Sequence, residues 1–122
     1  MPDQVSATPG SPAQLSADDA KLVSLARGAR VRAGAAEGAA LLDDIGRSYA
    51  AGSIQLRGLV LSAVQAAVAA AVSSGSSTIE SAVIVTEARQ LSAGDAALLD
   101  ELGASRVLIV DLDGHPAPPM AS

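Results

Sequence analysis

Two runs of β-branched residues constrain the fold more than any other feature of the sequence. Residues 79–86 (IESAVIVT) and 106–111 (RVLIVD) are apolar at consecutive positions, as strands are when both faces of their sheet are covered. Between them, residues 92–103 (SAGDAALLDELG) predict a helix that ends at Gly103. This order predicts two strands joined by a right-handed crossover through the helix.

The preceding segments extend this unit into a layered domain. Residues 17–33 predict an amphipathic helix, and residues 38–43 and 47–54 predict a hairpin that turns near Gly46. Residues 58–74 predict a helix that is apolar nearly all round, so it should be covered by a sheet and by something else, such as another subunit. The resulting order, α-β-β-α-β-α-β, predicts an α/β fold with three layers, α/β/α.

The core has to be built almost entirely from small aliphatic side chains. Hydrophobic residues make up 49% of the 122-residue chain, but aromatic residues only 1%, which is Tyr49 alone. Helices and strands must therefore approach closely. The length fits one domain, and we predict a disordered arm at 1–15, an ordered domain at 16–113 and a flexible Pro-rich tail at 114–122.

Charge and composition argue against several classes of function. A net charge of -5 without stacking aromatics predicts no nucleic-acid partner, and the lack of cysteine removes thiolate ligands and disulfides. The N-terminus lacks the features of a secretory signal. The most apolar stretch is shorter than the roughly 20 residues that span a bilayer. We therefore expect a cytoplasmic protein with no membrane partner.

One hexapeptide pattern occurs three times, as LSADDA, LSAVQA and LSAGDA, each near a predicted helix start. In such a sequence the serine hydroxyl accepts the amide three residues later, and that residue's side chain can bond back to the serine amide. Helix capping therefore explains the recurrence without a repeat. The predicted pairs are Ser16 with Asp19, Ser62 with Gln65, and Ser92 with Asp95.

Several segments together resemble the small cytidine deaminase family across most of the predicted domain. Residues 62–75 (SAVQAAVAAAVSSG) resemble its CAERAALxxAVxxG helix, and residues 91–103 (LSAGDAALLDELG) resemble its PCGxCRQxLxEFG segment. Residues 22–34, 38–54 and 107–114 resemble its first helix, first hairpin and a later strand with a DG turn. The resemblance implies a cytidine deaminase-like mixed sheet of four to five strands.

In the family, three cysteines in these segments hold a catalytic zinc ion and a glutamate moves protons. Carried onto this chain, the first cysteine falls on Ser62, the glutamate on Val64, and the cysteine pair on Ser92 and Asp95. A valine carries no proton, and neutral hydroxyls compete poorly with water for zinc. The resemblance therefore implies a scaffold without its metal chemistry.

The positions that contact substrate in the family are also altered. Its Asn-Val-Glu, which holds the ribose, falls on Ser53, Ile54 and Gln55, with a deletion needed after it. The stretch Tyr-x-Pro-Tyr-Ser-x-Phe before the first strand is missing. The resemblance thus implies, at most, a remnant of the nucleoside pocket.

These replacements predict a catalytically inactive protein, a pseudoenzyme without cofactor or metal, that acts through protein contacts or self-assembly. Family members commonly form dimers or tetramers through helices, so we expect a homo-oligomer, and an unknown protein partner stays open. A second hypothesis is a module that binds small nucleoside-like molecules. Its vestigial pocket would comprise Ser53, Gln55, Ser62, Val64, Ser92 and Asp95. An enzyme with unrelated chemistry is disfavoured because no acid/base pair is evident.

The segment around the last predicted strand resembles a motif of a different enzyme class. Residues 107–115 (VLIVDLDGH) imitate the first motif of haloacid-dehalogenase-type phosphotransferases, with Asp111 as nucleophile and Asp113 as acid/base. The chain ends too soon afterwards for the rest of that fold, so we favour a strand followed by a glycine turn. His115, the only histidine, is expected to be solvated.

Overall fold

Helices and strands alternate along residues 15–116, the part of the chain that the computed structural model describes. The predicted arm at 1–15 lies outside this part except for its last residue, and so do residues 117–122 of the predicted tail. The helices are α1 (Ala17–Ala33), α2 (Ala63–Ser73) and α3 (Ala93–Glu101). The strands are β1 (Gly38–Asp43), β2 (Ser48–Gly52), β3 (Ile54–Gln55), β4 (Val60–Leu61), β5 (Ile79–Val85) and β6 (Arg106–Val110).

Four of the strands form one mixed sheet in the order β2-β1-β5-β6. Strand β1 is antiparallel to β2 and β5, whereas β5 and β6 are parallel. Residue Gly38 pairs with Gly52 on one side and with Val85 on the other. The mixed four-stranded sheet agrees with the prediction, and so does the parallel pair β5-β6 joined through α3.

Both faces of the central strands β1 and β5 are buried, and their side chains alternate between two apolar clusters. Strand β6, whose apolar run predicted the same burial, is exposed at its amino end because it lies at the edge of the sheet. Ala40 and Val83 face α1, where they pack with Leu22. Leu41 and Ile84 face the opposite way and belong to the cluster that contains the buried side of α2 and Leu99 of α3. Alternation along each strand places consecutive side chains on opposite faces, so the three-layer α/β/α prediction is confirmed.

Helix α1 lies very close to the hairpin formed by β1 and β2. At two strand positions, any residue larger than glycine would force neighbouring atoms to move. A Cβ at Gly38 would lie 2.2 Å from the Ala26 carbonyl oxygen, and one at Gly52 would lie 2.8 Å from the Ala33 Cβ. Both distances are shorter than van der Waals contact. These two contacts show the close approach of helix and strands that a core of small side chains was expected to require.

The segment between the hairpin and α2 differs from the prediction. Strand β2 ends at Gly52 instead of residue 54, and α2 begins at Ala63 instead of residue 58. The intervening residues form a small antiparallel ribbon in which β3 pairs with β4, Ile54 opposite Leu61. A short apolar run has no period that separates strand from helix, and the extended backbone of Ser62 stops the helix from starting earlier.

All three predicted serine caps are present. The Oγ atoms of Ser16, Ser62 and Ser92 accept the amides three residues later at 3.0, 3.0 and 3.1 Å. Only Ser62 also has the predicted return bond, from its amide to the Gln65 side chain at 2.9 Å. The helices between residues 15 and 116 all fall short of the length and apolar character that a membrane span requires.

Candidate functional site

The amino ends of α2 and α3 meet, although they are far apart in the sequence. The Ser62 hydroxyl, which caps α2, donates to Oδ1 of Asp95 in the first turn of α3 at 2.8 Å. The same hydroxyl oxygen accepts the Gln65 amide, so it joins a helix cap and a tertiary contact in one atom. Asp95 is only 9% exposed.

A cavity of about 430 Å³ opens at this meeting point, and we call it the helix-start cavity. It lies beside the carboxyl end of β5 and contains both polar and apolar side chains. Its walls are formed by Glu37, Ser62, Ile84, Thr86, Ala88, Gln90, Leu91, Ser92 and Asp95. A concave site at the carboxyl ends of strands and the amino ends of helices is where α/β proteins commonly bind ligands.

A second hydrogen-bonded pair also lines this cavity. The buried Thr86 hydroxyl donates to Oε2 of the half-buried Glu37 at 2.7 Å and accepts the Ala88 amide at 3.0 Å. Sequence reasoning missed both residues. Glu37 is the only charged residue between Arg32 and Asp43, but only the pairing of β1 with β5 brings it opposite Thr86.

The structure divides the predicted vestigial pocket into separate places. Ser62, Ser92 and Asp95 line the helix-start cavity. Ser53 and Gln55 instead line a second cavity, of about 390 Å³, formed by residues 33–36 and 52–56.

Val64 lines neither of these two cavities. Val64 is 1% exposed and belongs to the apolar core beneath α2. Ser53 contacts the helix-start cavity only through Glu37. The Ser53 amide donates to the Glu37 carbonyl at 3.0 Å, and the Ser53 hydroxyl accepts the Glu37 amide at 3.3 Å. The six predicted positions therefore do not surround one shared space.

Two acidic residues outside this cavity, Asp43 and Asp111, have local structural partners. Burial raises the pKa of Asp43, but hydrogen bonds from the Ser76 hydroxyl and then from Arg47 and Ile45 outweigh it and lower the pKa to about 2. Asp111 accepts the amides of the turn that follows β6, and the His115 amide is the main reason why the pKa of Asp111 is lowered. This geometry is that of the glycine turn favoured above.

A family model described as cytidine deaminase-like matches residues 15–114, which is most of the chain. The chain belongs to the cytidine deaminase-like family. The resemblance of the sequence motifs to this family is thereby confirmed. No curated protein sequence matches the chain.

Solved structures agree with the cytidine deaminase-like fold. The cytidine deaminase from Mycobacterium tuberculosis is 27% identical, with 83% of this chain and 89% of that one covered and a TM-score of 0.65. The enzymes from Burkholderia pseudomallei and Mycobacterium leprae are 18% and 20% identical, with TM-scores of 0.68 and 0.64. They cover 84% and 81% of this chain and 90% and 92% of their own, and at these identities they support the fold alone.

The zinc ion implied by the cytidine deaminase resemblance would fall among Ser62, Ser92 and Asp95. Protein zinc sites use thiolates, imidazoles and carboxylates, whereas these positions offer one carboxylate and two neutral hydroxyls. The Ser62 hydroxyl already donates a hydrogen bond to Asp95 and accepts one from the Gln65 amide. Among the side chains of residues 15–116, no group of three or more His, Cys, Asp or Glu is placed to hold a metal ion. The residues present do not fit zinc.

Proposed function

We propose that this chain is a catalytically inactive member of the cytidine deaminase-like family that acts through protein contacts, including self-assembly. The observation that carries the proposal is the hydrogen bond between Ser62 and Asp95. It joins the two helix starts at the place where the family resemblance expects a metal. In this view a serine-carboxylate contact replaces zinc as the link between α2 and α3.

The proton chemistry supports the same conclusion. Deamination needs a group that delivers and removes protons beside the reacting carbon. The position that matches the family's glutamate is Val64, which is apolar and packs in the core. The carboxylates of the cavity, Glu37 and Asp95, each accept a hydrogen bond from a neighbouring hydroxyl, and neither occupies the position that matches the family's glutamate.

The ribbon formed by β3 and β4 supports the proposed self-assembly. Leu56, Leu59 and Val60 are 63%, 46% and 67% exposed. Two-stranded ribbons are marginally stable in water unless something packs on them, and clustered exposed apolar side chains mark contact surfaces. We propose that a second copy of this chain covers the ribbon, because the same apolar patch on each copy is self-complementary in a two-fold dimer.

Elemental analysis and an activity assay test the loss of catalysis. The purified chain should carry far less than one zinc ion per molecule, and cytidine should stay unchanged in its presence even when zinc is added. One tightly held zinc ion per chain, together with release of ammonia from cytidine, would contradict the proposal.

Sedimentation velocity at micromolar concentration tests the self-assembly. The native chain should sediment as a dimer or larger species, and Val60→Lys should convert it to a monomer. Val31→Lys is the matched control, because Val31 on α1 is 68% exposed but lies outside the ribbon. A native monomer, or equal effects of both variants, would contradict assembly through the ribbon.

The helix-start cavity favours a second candidate function, a module that binds nucleoside-like molecules. Its volume of about 430 Å³ and its mixture of polar and apolar walls resemble small-molecule sites in general. Thermal-shift measurements with cytidine, uridine and adenosine test this candidate. If none of them raises the unfolding temperature, the cavity does not retain nucleoside binding.

A further inference from the structure

Strand β6 lies at the edge of the sheet, where β5 is its only neighbour among the strands of residues 15–116. We infer that the outer edge of β6 is an interaction surface occupied by the C-terminal segment of the same chain. Residues 115–118, which we call the edge cap, pair with β6 through Ala117 and close the sheet with a proline on either side of Ala117. The inference is independent of the proposed function, because it involves neither the cavities nor the ribbon.

The backbone groups of β6 that face outward can be identified from the hydrogen bonds at its carboxyl end. The Thr86 amide donates to the Val110 carbonyl at 3.0 Å, so Val110 faces β5. The next amide, that of Asp111, faces the other way and donates to the His115 carbonyl at 2.8 Å. Because backbone groups alternate in direction along a strand, the amide and carbonyl of Ile109 also face outward.

The turn after β6 directs the chain back along this outer edge. Beyond the turn, Pro116 lies opposite Val110 in an antiparallel bridge. Antiparallel strands run in opposite directions, so the residue after Pro116 falls opposite Ile109. That residue is Ala117, whose amide and carbonyl would bond the outward groups of Ile109. Outside the ladder between β5 and β6, no amide or carbonyl of residues 15–116 bonds to Ile109, so the place is open to Ala117.

The positions of the prolines fit this pairing and show what it achieves. A proline has no N–H group, and it is tolerated in an edge strand where its nitrogen faces away from the neighbouring strand. Pro116 and Pro118 flank Ala117, so both of their nitrogens would face away from β6. A further strand that approached the edge cap would find no amide at either position. Prolines at sheet edges prevent pairing with other chains in this way.

Pro119 sets the limit of the edge cap. In the same register it would lie opposite Val107 with its nitrogen towards β6, where the ladder needs an amide that proline lacks. The pairing should therefore end at Pro118. Val107 is 43% exposed, which agrees with a cap that ends before it.

Hydrogen exchange of the full chain, followed for each amide by NMR, tests the pairing. Ala117→Pro should speed exchange of the Ile109 amide about tenfold or more, because the cap loses the hydrogen bond it donates and the new ring collides with the Ile109 carbonyl. Pro118→Ala is the matched control, since its nitrogen faces away from β6, and it should leave the Ile109 rate unchanged. The Leu108 amide, which faces β5, should keep its rate in all three proteins.

Three results of this experiment would overturn the inference. Equal exchange of Ile109 in the native chain and in Ala117→Pro would show that the cap does not bind there. Equal acceleration by Ala117→Pro and Pro118→Ala would contradict the alternation on which the register depends. Protection of Ile109 that rises with protein concentration would make a second copy of the chain, and not the cap, the occupant of the edge.

Sedimentation velocity tests whether the prolines close the sheet. The double variant Pro116→Ala/Pro118→Ala should keep Ile109 protected but present two outward amides. It should therefore form larger species than the native chain, in a proportion that increases with concentration. The native chain is the reference, so assembly through the ribbon contributes equally to both. If the two proteins sediment alike at every concentration, the prolines do not close the edge.

Discussion

The three serine caps allow a quantitative test of the contact that joins α2 to α3. In Ser16 and Ser92 the hydroxyl accepts one helix amide. In Ser62 it accepts an amide and also donates to the buried carboxylate of Asp95. Removing a serine cap costs about 1 kcal/mol, and a hydrogen bond to a charged group contributes about 1.5–3 kcal/mol.

Substitution of each serine by alanine should therefore have unequal effects on the free energy of unfolding. Ser16→Ala and Ser92→Ala should each lower it by about 1 kcal/mol. Ser62→Ala should lower it by about 3 kcal/mol, since the cap and the carboxylate contact are lost together. Urea unfolding followed by far-UV circular dichroism measures all three, because Tyr49 is the only aromatic fluorophore.

A double-mutant cycle isolates the tertiary part of the effect. Ser62→Ala combined with Asp95→Ala should cost about 1.5 kcal/mol less than the sum of the single variants, because the second change has no hydrogen bond left to remove. If the three alanine variants agree within about 0.5 kcal/mol, and the cycle shows no coupling, the Ser62 hydroxyl is only a helix cap. The contact between Ser62 and Asp95 would then not replace a metal link between α2 and α3.

Two further predictions concern the packing and the pH dependence of the fold. Gly38→Ala should destabilise the protein by about 1–3 kcal/mol because the new methyl meets the Ala26 carbonyl. Gly94→Ala in α3, with no atom within 4 Å of the added Cβ, should not destabilise the protein in the same urea titration, because alanine is favoured over glycine in a helix. The folded pKa of Asp43, about 2, lies below its ordinary value of 3.8. Its stabilisation is therefore present above that ordinary value and is lost as the pH falls towards 2. Acid titration of thermal stability should show a smaller loss over this interval in Asp43→Asn than in the native chain, and an equal loss would contradict the assignment.

Local sequence patterns predicted most secondary-structure elements because those elements depend on near neighbours. The helix predicted at 17–33 and the strand predicted at 38–43 have these bounds in the structure. Each has a clear hydrophobic period or boundary, and a serine cap marks where α1 begins. The ribbon at residues 54–61 was missed because such a short apolar run has no distinguishing period.

The candidate site was predictable only in part, for the same physical reason. Motif resemblance singled out Ser62 and Asp95, and the structure joins them by a hydrogen bond. The same motifs grouped Ser53 with them, but the structure puts Ser53 in a different cavity. The spacing of residues along the chain shows which of them match a motif, but it does not show which side chains line the same cavity.

From the sequence by itself, motif resemblance predicted the fold family, and apolar runs and periods of a few residues predicted the layered α/β arrangement. Only the tertiary structure decided that Asp95 turns from its own helix start to Ser62, and that Glu37 meets Thr86 across paired strands. Both contacts join residues more than 30 positions apart, so they depend on strand register and helix packing, which no local pattern encodes.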